Sequence, residues 1–261
     1  MIIDFHTHCF PDGLAHRAIT TLEKEIGLKS SFDGTSSGLS MSARSAGIDK
    51  SVIMPIATKP QQTVKINRWA AEIDDPNLIS FGTIHPDFAG FRAEIDWLAA
   101  HGFRGIKLHP ESQAFNVDDQ RYFALYEAVF AAGLGILFHA GVDIAFKEPW
   151  HCLPDQLARV LDAFPGGVII AVHMGGYRFW DEVDQHLLGR DIYLETSFSF
   201  RQLGSDRMVK MIRRHGIDKI LFGSDTPWTN QTVELEKIQS LDLTGAEMKA
   251  ILGGNAQRLL R

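Results

Sequence analysis

The stretch Ile2-Ile3-Asp4-Phe5-His6-Thr7-His8 decides how the rest of the chain is read. Three strand-forming residues, Ile2, Ile3 and Phe5, run into two histidines spaced two apart. Strand side chains alternate between faces, so His6 and His8 point the same way beyond the strand's end. Two imidazoles on one face make half of a metal site, although paired histidines also occur on solvent faces. What settles the matter is whether other strands bring donors to the same place.

Seven further runs share this composition: Ser51–Ile56, Leu78–Ile84, Arg104–Leu108, Gly135–Phe138, Val168–Val172, Ile192–Thr196 and Ile220–Gly223. Each is a near-continuous apolar segment, as parallel strands covered on both faces should be. Between them the apolar spacing is helical: Phe91 to His101, Tyr122 to Ala132, Pro154 to Phe164 and Asp206 to His215. Strand and helix alternating eight times predict a single α/β domain over residues 1–261, a (β/α)8 barrel, with an open doubly wound sheet as the competitor. In the first crossover the polar stretch from Ser30 to Gly38 reads as a surface loop or lid. Near the end, Thr244 and Glu247 form a capping box for a helix that Gly253-Gly254 should interrupt, and a short helix from Asn255 to Leu260 should close the bottom of the barrel.

The chain has 261 residues, a formal charge of -6 and two cysteines, Cys9 and Cys152. That balance gives no basic field for nucleic acid or anionic lipid, and two cysteines are too few for a disulfide framework. The opening residues lack the features of a secretion leader, and no run of about 20 apolar residues offers a membrane span. The expectation is a cytoplasmic protein acting on a small molecule, with a homo-oligomer expected on base rates alone.

Histidines also end the third to sixth runs, as His85, His109, His139 and His173, and the eighth closes with Ser224-Asp225. In a barrel these ends share one rim, where active sites sit. Imidazoles with one carboxylate suit zinc first, and also manganese, iron or cobalt. His16, His101, His151, His186 and His215 fall on helices or loops and read as ordinary hydrogen-bonded residues. Cys9 has the wrong parity to join His8 and reads as a packed thiol. Phe10, Phe146, Trp150, Tyr177, Trp180, Phe198, Phe200 and Trp228 follow strand ends and suggest an apolar pocket wall. Glu195 and Ser197 stand at the seventh strand's end as weaker candidates for substrate contact.

Taken together, Ile3-Asp4-Phe5-His6-Thr7-His8, Gly105-Ile106-Lys107-Leu108-His109-Pro110, Phe138-His139-Ala140-Gly141, His173-Met174-Gly175-Gly176 and Phe222-Gly223-Ser224-Asp225-Thr226-Pro227-Trp228 resemble the amidohydrolase-related family. This branch of the amidohydrolase superfamily also holds enzymes like aminocarboxymuconate-semialdehyde decarboxylase. The resemblance implies that His6, His8, His139 and Asp225 are metal ligands, that Asp225 is also the proton acceptor, and that His173 acts beside the metal. It implies one divalent metal, with a less favoured binuclear form bridged by a carboxylated Lys107. Lys107, His109, His85, Tyr177, Arg178 and Trp228 are the further candidates for touching substrate or supporting the ligands.

A metal lowers the pKa of bound water from 15.7 towards about 7, which makes hydrolysis of an amide, ester or lactone the first expectation. Non-oxidative decarboxylation of an aromatic or unsaturated acid is the alternative. A fixed cation for a carboxylate, Lys107 or Arg178, would favour it. A barrel that keeps the metal and has lost activity is a third reading, which the retained histidines oppose.

Overall fold

The computed structural model describes residues 1–261. Parallel strands follow one another in chain order as β1 (Ile3–Thr7), β2 (Lys50–Ile53), β3 (Leu78–Ser80), β4 (Gly82–Thr83), β5 (Gly105–Leu108), β6 (Gly135–Phe138), β7 (Ile169–Ala171), β8 (Tyr193–Glu195) and β9 (Ile220–Leu221). β1 to β3 pair in one ladder and β4 to β9 in another. β3 and β4 are the two halves of one run, which changes neighbour at Phe81, where the Phe81 amide still donates to the Ile53 carbonyl at 3.0 Å. Counted as one, they leave eight barrel strands.

The last strand returns to the first. Phe5 N–H donates to the Phe222 carbonyl at 2.8 Å, Asp225 N–H to that of His6 at 2.8 Å, and His8 N–H to that of Thr226 at 2.7 Å. This seam closes the sheet into the expected (β/α)8 barrel. Alternation along the strands sorts the side chains. Ile106 and Leu108 of β5 and Ile136 and Phe138 of β6 face outward into the large core shared with the helices, whereas Leu137 joins Ile170, Val172 and Leu221 in a smaller cluster. Lys107, between Ile106 and Leu108, therefore points inward and is wholly buried.

The helices Phe91–Ala100, Phe123–Ala131, Pro154–Ala163 and Ser205–His215 match the periodic segments to within a residue or so. Two expectations need correction. The polar stretch from Ser30 to Gly38 is not all loop, because Thr35 Oγ1 accepts from Gly38 N–H at 2.9 Å and caps a helix over Ser36–Ala46. Nor do Gly253 and Gly254 break the final helix. The backbone widens there into a π-type turn, Ala250–Gly254, and runs on into Asn255–Leu259. Glycine is needed at 253 for a close approach instead: a Cβ there would lie 2.3 Å from the Met1 carbonyl oxygen. Asn255 then fastens the base of the barrel, its Nδ2 donating to the carbonyls of Ile217 at 2.7 Å and Ile220 at 2.6 Å. No helix is long and apolar enough to cross a membrane.

Candidate active site

At the C-terminal end of β1, His6 and His8 turn their Nε2 atoms toward each other at 3.1 Å. Asp225 Oδ1 lies 3.1 Å from His8 Nε2 and 3.5 Å from His6 Nε2, so that all three donors fall within 4.8 Å of one another. The seam of the barrel creates this meeting, since Asp225 N–H hydrogen-bonds the His6 carbonyl. Asp225 adopts a left-handed backbone with φ 63°, uncommon for a residue with a side chain and frequent at functional sites.

The far side of each ring fixes its proton. His8 Nδ1 is 3.0 Å from the Met54 carbonyl, which can only accept. His6 Nδ1 is 3.0 Å from Glu195 Oε2. His8 Nδ1 therefore donates, and His6 Nδ1 donates when Glu195 is ionised, so that both Nε2 atoms then present lone pairs to the shared centre. Burial, reinforced by the charge of Lys107, holds His6 well below the usual histidine range, so its ring is neutral. Two lone pairs and a carboxylate oxygen converging at 3.1 Å repel one another unless a cation lies among them. The residues present fit a divalent metal, whose histidine ligands characteristically donate their other nitrogen to a carboxylate or carbonyl.

Glu195 supports this arrangement from behind the site. It is wholly buried, and burial pushes its carboxyl up to about 8. Ser197 answers with two donors, its amide to Oε1 at 2.5 Å and its hydroxyl to Oε2 at 2.8 Å. Gly223 makes room, because a Cβ there would sit 2.1 Å from Glu195 Oε1. His173 Nδ1 lies 3.1 Å from the Ser197 carbonyl, and burial lowers its pKa to about 4 against the pull of Asp225. Glu195 and Ser197 thus orient histidines; neither lines the cavity as a substrate contact.

A second cluster stands beside the first. β5 and β6 pair with Lys107 opposite Leu137, which carries His109 next to His139, their rings stacked at 4.3 Å between centroids. Asp143, which sequence reasoning overlooked because it lies in the irregular segment after β6, completes this group. Its Oδ2 is 3.3 Å from His109 Nε2 and 4.0 Å from His139 Nε2. His139 Nε2 is buried without a hydrogen-bond partner. The tight cluster of His6, His8 and Asp225 does not include His139.

Lys107 Nζ is likewise buried and unpartnered. Burial lowers its pKa to about 8, opposed by Asp225 and Glu195. These groups floor a cavity of about 490 Å³, walled by Phe10, Phe146, Tyr177, Phe198 and Trp228. Trp150, Trp180 and Phe200 are not among its lining. His85 and Arg178 also lie off it. His85 is held within its own loop, Nδ1 accepting from Asp87 N–H at 3.2 Å, while Arg178 is exposed with its guanidinium 5.3 Å from the Tyr177 ring centre.

A barrel whose strand ends gather imidazoles and a carboxylate defines the metal-dependent amidohydrolase class, and the sequence agrees. The amidohydrolase family model (Amidohydro_2) matches residues 3–261, so the chain belongs to that family. No curated protein matches it in sequence. Among solved structures it is similar to 5-carboxyvanillate decarboxylase from Sphingomonas paucimobilis (TM-score 0.76, 16% identity, covering 100% of this chain and 98% of that one). A 2,6-dihydroxybenzoate decarboxylase from Rhizobium gives TM-score 0.71 at 16% identity, covering 99% and 98%. A 5-carboxyvanillate decarboxylase from Novosphingobium aromaticivorans, crystallised with bound manganese, gives 0.72 at 14%, covering 100% and 97%. At these identities what is shared is the fold. Family and donor set together support a divalent metal.

Proposed function

We propose that the chain is a metal-dependent, non-oxidative decarboxylase of a small aromatic or unsaturated carboxylic acid. The observation that carries this reading is Lys107, the only ammonium or guanidinium group lining the cavity, buried there with no partner in the protein. An unpaired buried cation is costly, which points to an anionic ligand that offsets it. Arg178, the other cation considered from sequence, is turned away. The decarboxylases of similar fold support the same reaction class, so decarboxylation now leads hydrolysis, reversing the order drawn from sequence.

In this reading His6, His8 and Asp225 hold the metal, with His139 as the fourth donor. A divalent cation there supplies positive charge that draws the acid's oxygens and steadies the electron density left behind. Lys107 binds and orients the acid. The bond between the carboxylate carbon and its neighbour breaks, carbon dioxide leaves without the bonding pair, and the remaining carbon takes up one proton. Asp225 delivers that proton and regains one from water. His173, neutral and fixed through Ser197, offers a lone pair to a substrate hydroxyl.

Carbon dioxide release from a panel of hydroxybenzoates and unsaturated acids, with zinc- and manganese-loaded protein, tests this. Equimolar carbon dioxide and decarboxylated product are expected. A new carboxylate or alcohol from an ester, amide or lactone, with no carbon dioxide from any acid, returns the protein to the hydrolases.

A further inference from the structure

Above its charged floor the cavity continues outward between three segments that are remote in sequence. Leu22 and Ile26 come from the helix Asp12–Ile26, Ile66 and Trp69 from the helix Thr63–Ala71, and Ile144 and Phe146 from the segment after β6. Ile144 and Phe146 remain 38% and 41% exposed while facing this space. Large apolar side chains scattered singly over a surface need no explanation; three segments converging on one cavity do. The volume of about 490 Å³ lies within the range of about 300–1,000 Å³ in which pockets bury drug-sized ligands.

Charge divides this space. Lys107 provides the positive charge at the floor, and the outer chamber contains no lysine or arginine. Its only charged group is Glu25, on the same helix face as Leu22 and Ile26. A second carboxylate on a ligand would find repulsion there and no partner.

We infer that the substrate is a monocarboxylate bearing an alkyl or aryl extension, with its acid on the floor beside Lys107 and its extension in the outer chamber. The choice of an acid rests on the decarboxylase reading; the apolar extension rests on the chamber alone. Dicarboxylates of the same length are selected against.

Calorimetric titration of the metal-replete protein with 4-n-alkylbenzoates, from methyl to hexyl, tests the inference. Affinity should rise about three- to fourfold per methylene until the chamber is filled. A terminal carboxyl on the hexyl chain should weaken binding at least about tenfold relative to hexyl. Ile144→Ser and Phe146→Ser, at half-exposed positions, should flatten the rise, weakening the hexyl member several-fold more than the methyl member. A flat series in the wild-type protein, or a rise that both variants leave intact, overturns the inference. Because binding is read without turnover, the two readings fail separately. A rising series with no carbon dioxide release from any acid sinks decarboxylation alone, and carbon dioxide release with a flat series sinks only the extended substrate.

Discussion

The two imidazole and carboxylate clusters at the barrel mouth have the same composition and differ in the proton of one ring, that of His109. In His6, His8 and Asp225 each Nδ1 faces an acceptor, Glu195 or the Met54 carbonyl, and each Nε2 offers a lone pair to one centre. At His109 the relation is reversed, whereas His139 beside it keeps a buried Nε2 with no partner. The amide of Ser112 donates to His109 Nδ1 at 3.4 Å, which leaves the ring proton on Nε2, 3.3 Å from Asp143 Oδ2. The first cluster is a set of acceptors without a proton to share, while the second sets one ring proton, that of His109, beside a carboxylate. Counting histidines does not distinguish them. What the remote ring nitrogen touches does.

The comparison can be broken most directly at Asp225. Asp225→Asn should keep the fold by circular dichroism and lower turnover at least about 10³-fold; activity within tenfold of wild type would remove it as the proton carrier. Metal content measured by mass spectrometry separates the clusters themselves. Wild type should hold one equivalent, His8→Ala should lose it, and His109→Ala should keep it. The reverse result exchanges the roles of the two clusters, and two equivalents in the wild type would revive the bridge through a carboxylated Lys107.

A smaller effect concerns the buried cation between the clusters. Lys107 is pushed by burial from 10.5 down to about 8, so between these values the unfolded chain holds a proton that the folded protein has released. Stability of the metal-free protein should therefore rise with pH across that window, by on the order of 3 kcal/mol. Lys107→Met should abolish the rise in urea denaturation from pH 7 to 11 and weaken carboxylate binding. The mildest change is Glu195→Gln, which alters what His6 Nδ1 and Ser197 meet behind the site. Metal affinity by chelator competition should fall about 10- to 100-fold.

Much of this was legible in the order of residues. Parallel strands buried on both faces leave largely apolar runs, and the barrel rule turns their ends into one rim, so His6, His8, His139, His173 and Asp225 all fall at the mouth. Parity also read Cys9 correctly as a packed thiol, buried against Leu39, Ile53 and Leu78. Other features depend on contacts that no spacing encodes. Glu195 and Ser197 look like rim residues and lie behind the histidines, because Gly223 lets the carboxylate tuck inward. Asp143 follows β6 in irregular backbone, where neither period applies. Arg178 and His85 shared the motifs' neighbourhood and turned elsewhere, since a loop's direction is set by packing. The glycine pair at 253 and 254 resembled a break in a helix, and Gly253 proved to be clearance for Met1.

The closing seam has a consequence for how the protein is made. His8 and Asp225, 3.1 Å apart when folded, are separated by 217 positions along the polypeptide. During synthesis the histidine pair precedes its carboxylate partner by those 217 positions, which hold most of the barrel's strands. A contact so distant in order forms late and slowly. The meeting of these three side chains is thus a product of final assembly, and the growing polypeptide carries two imidazoles that wait for seven further strands before they find their counterpart.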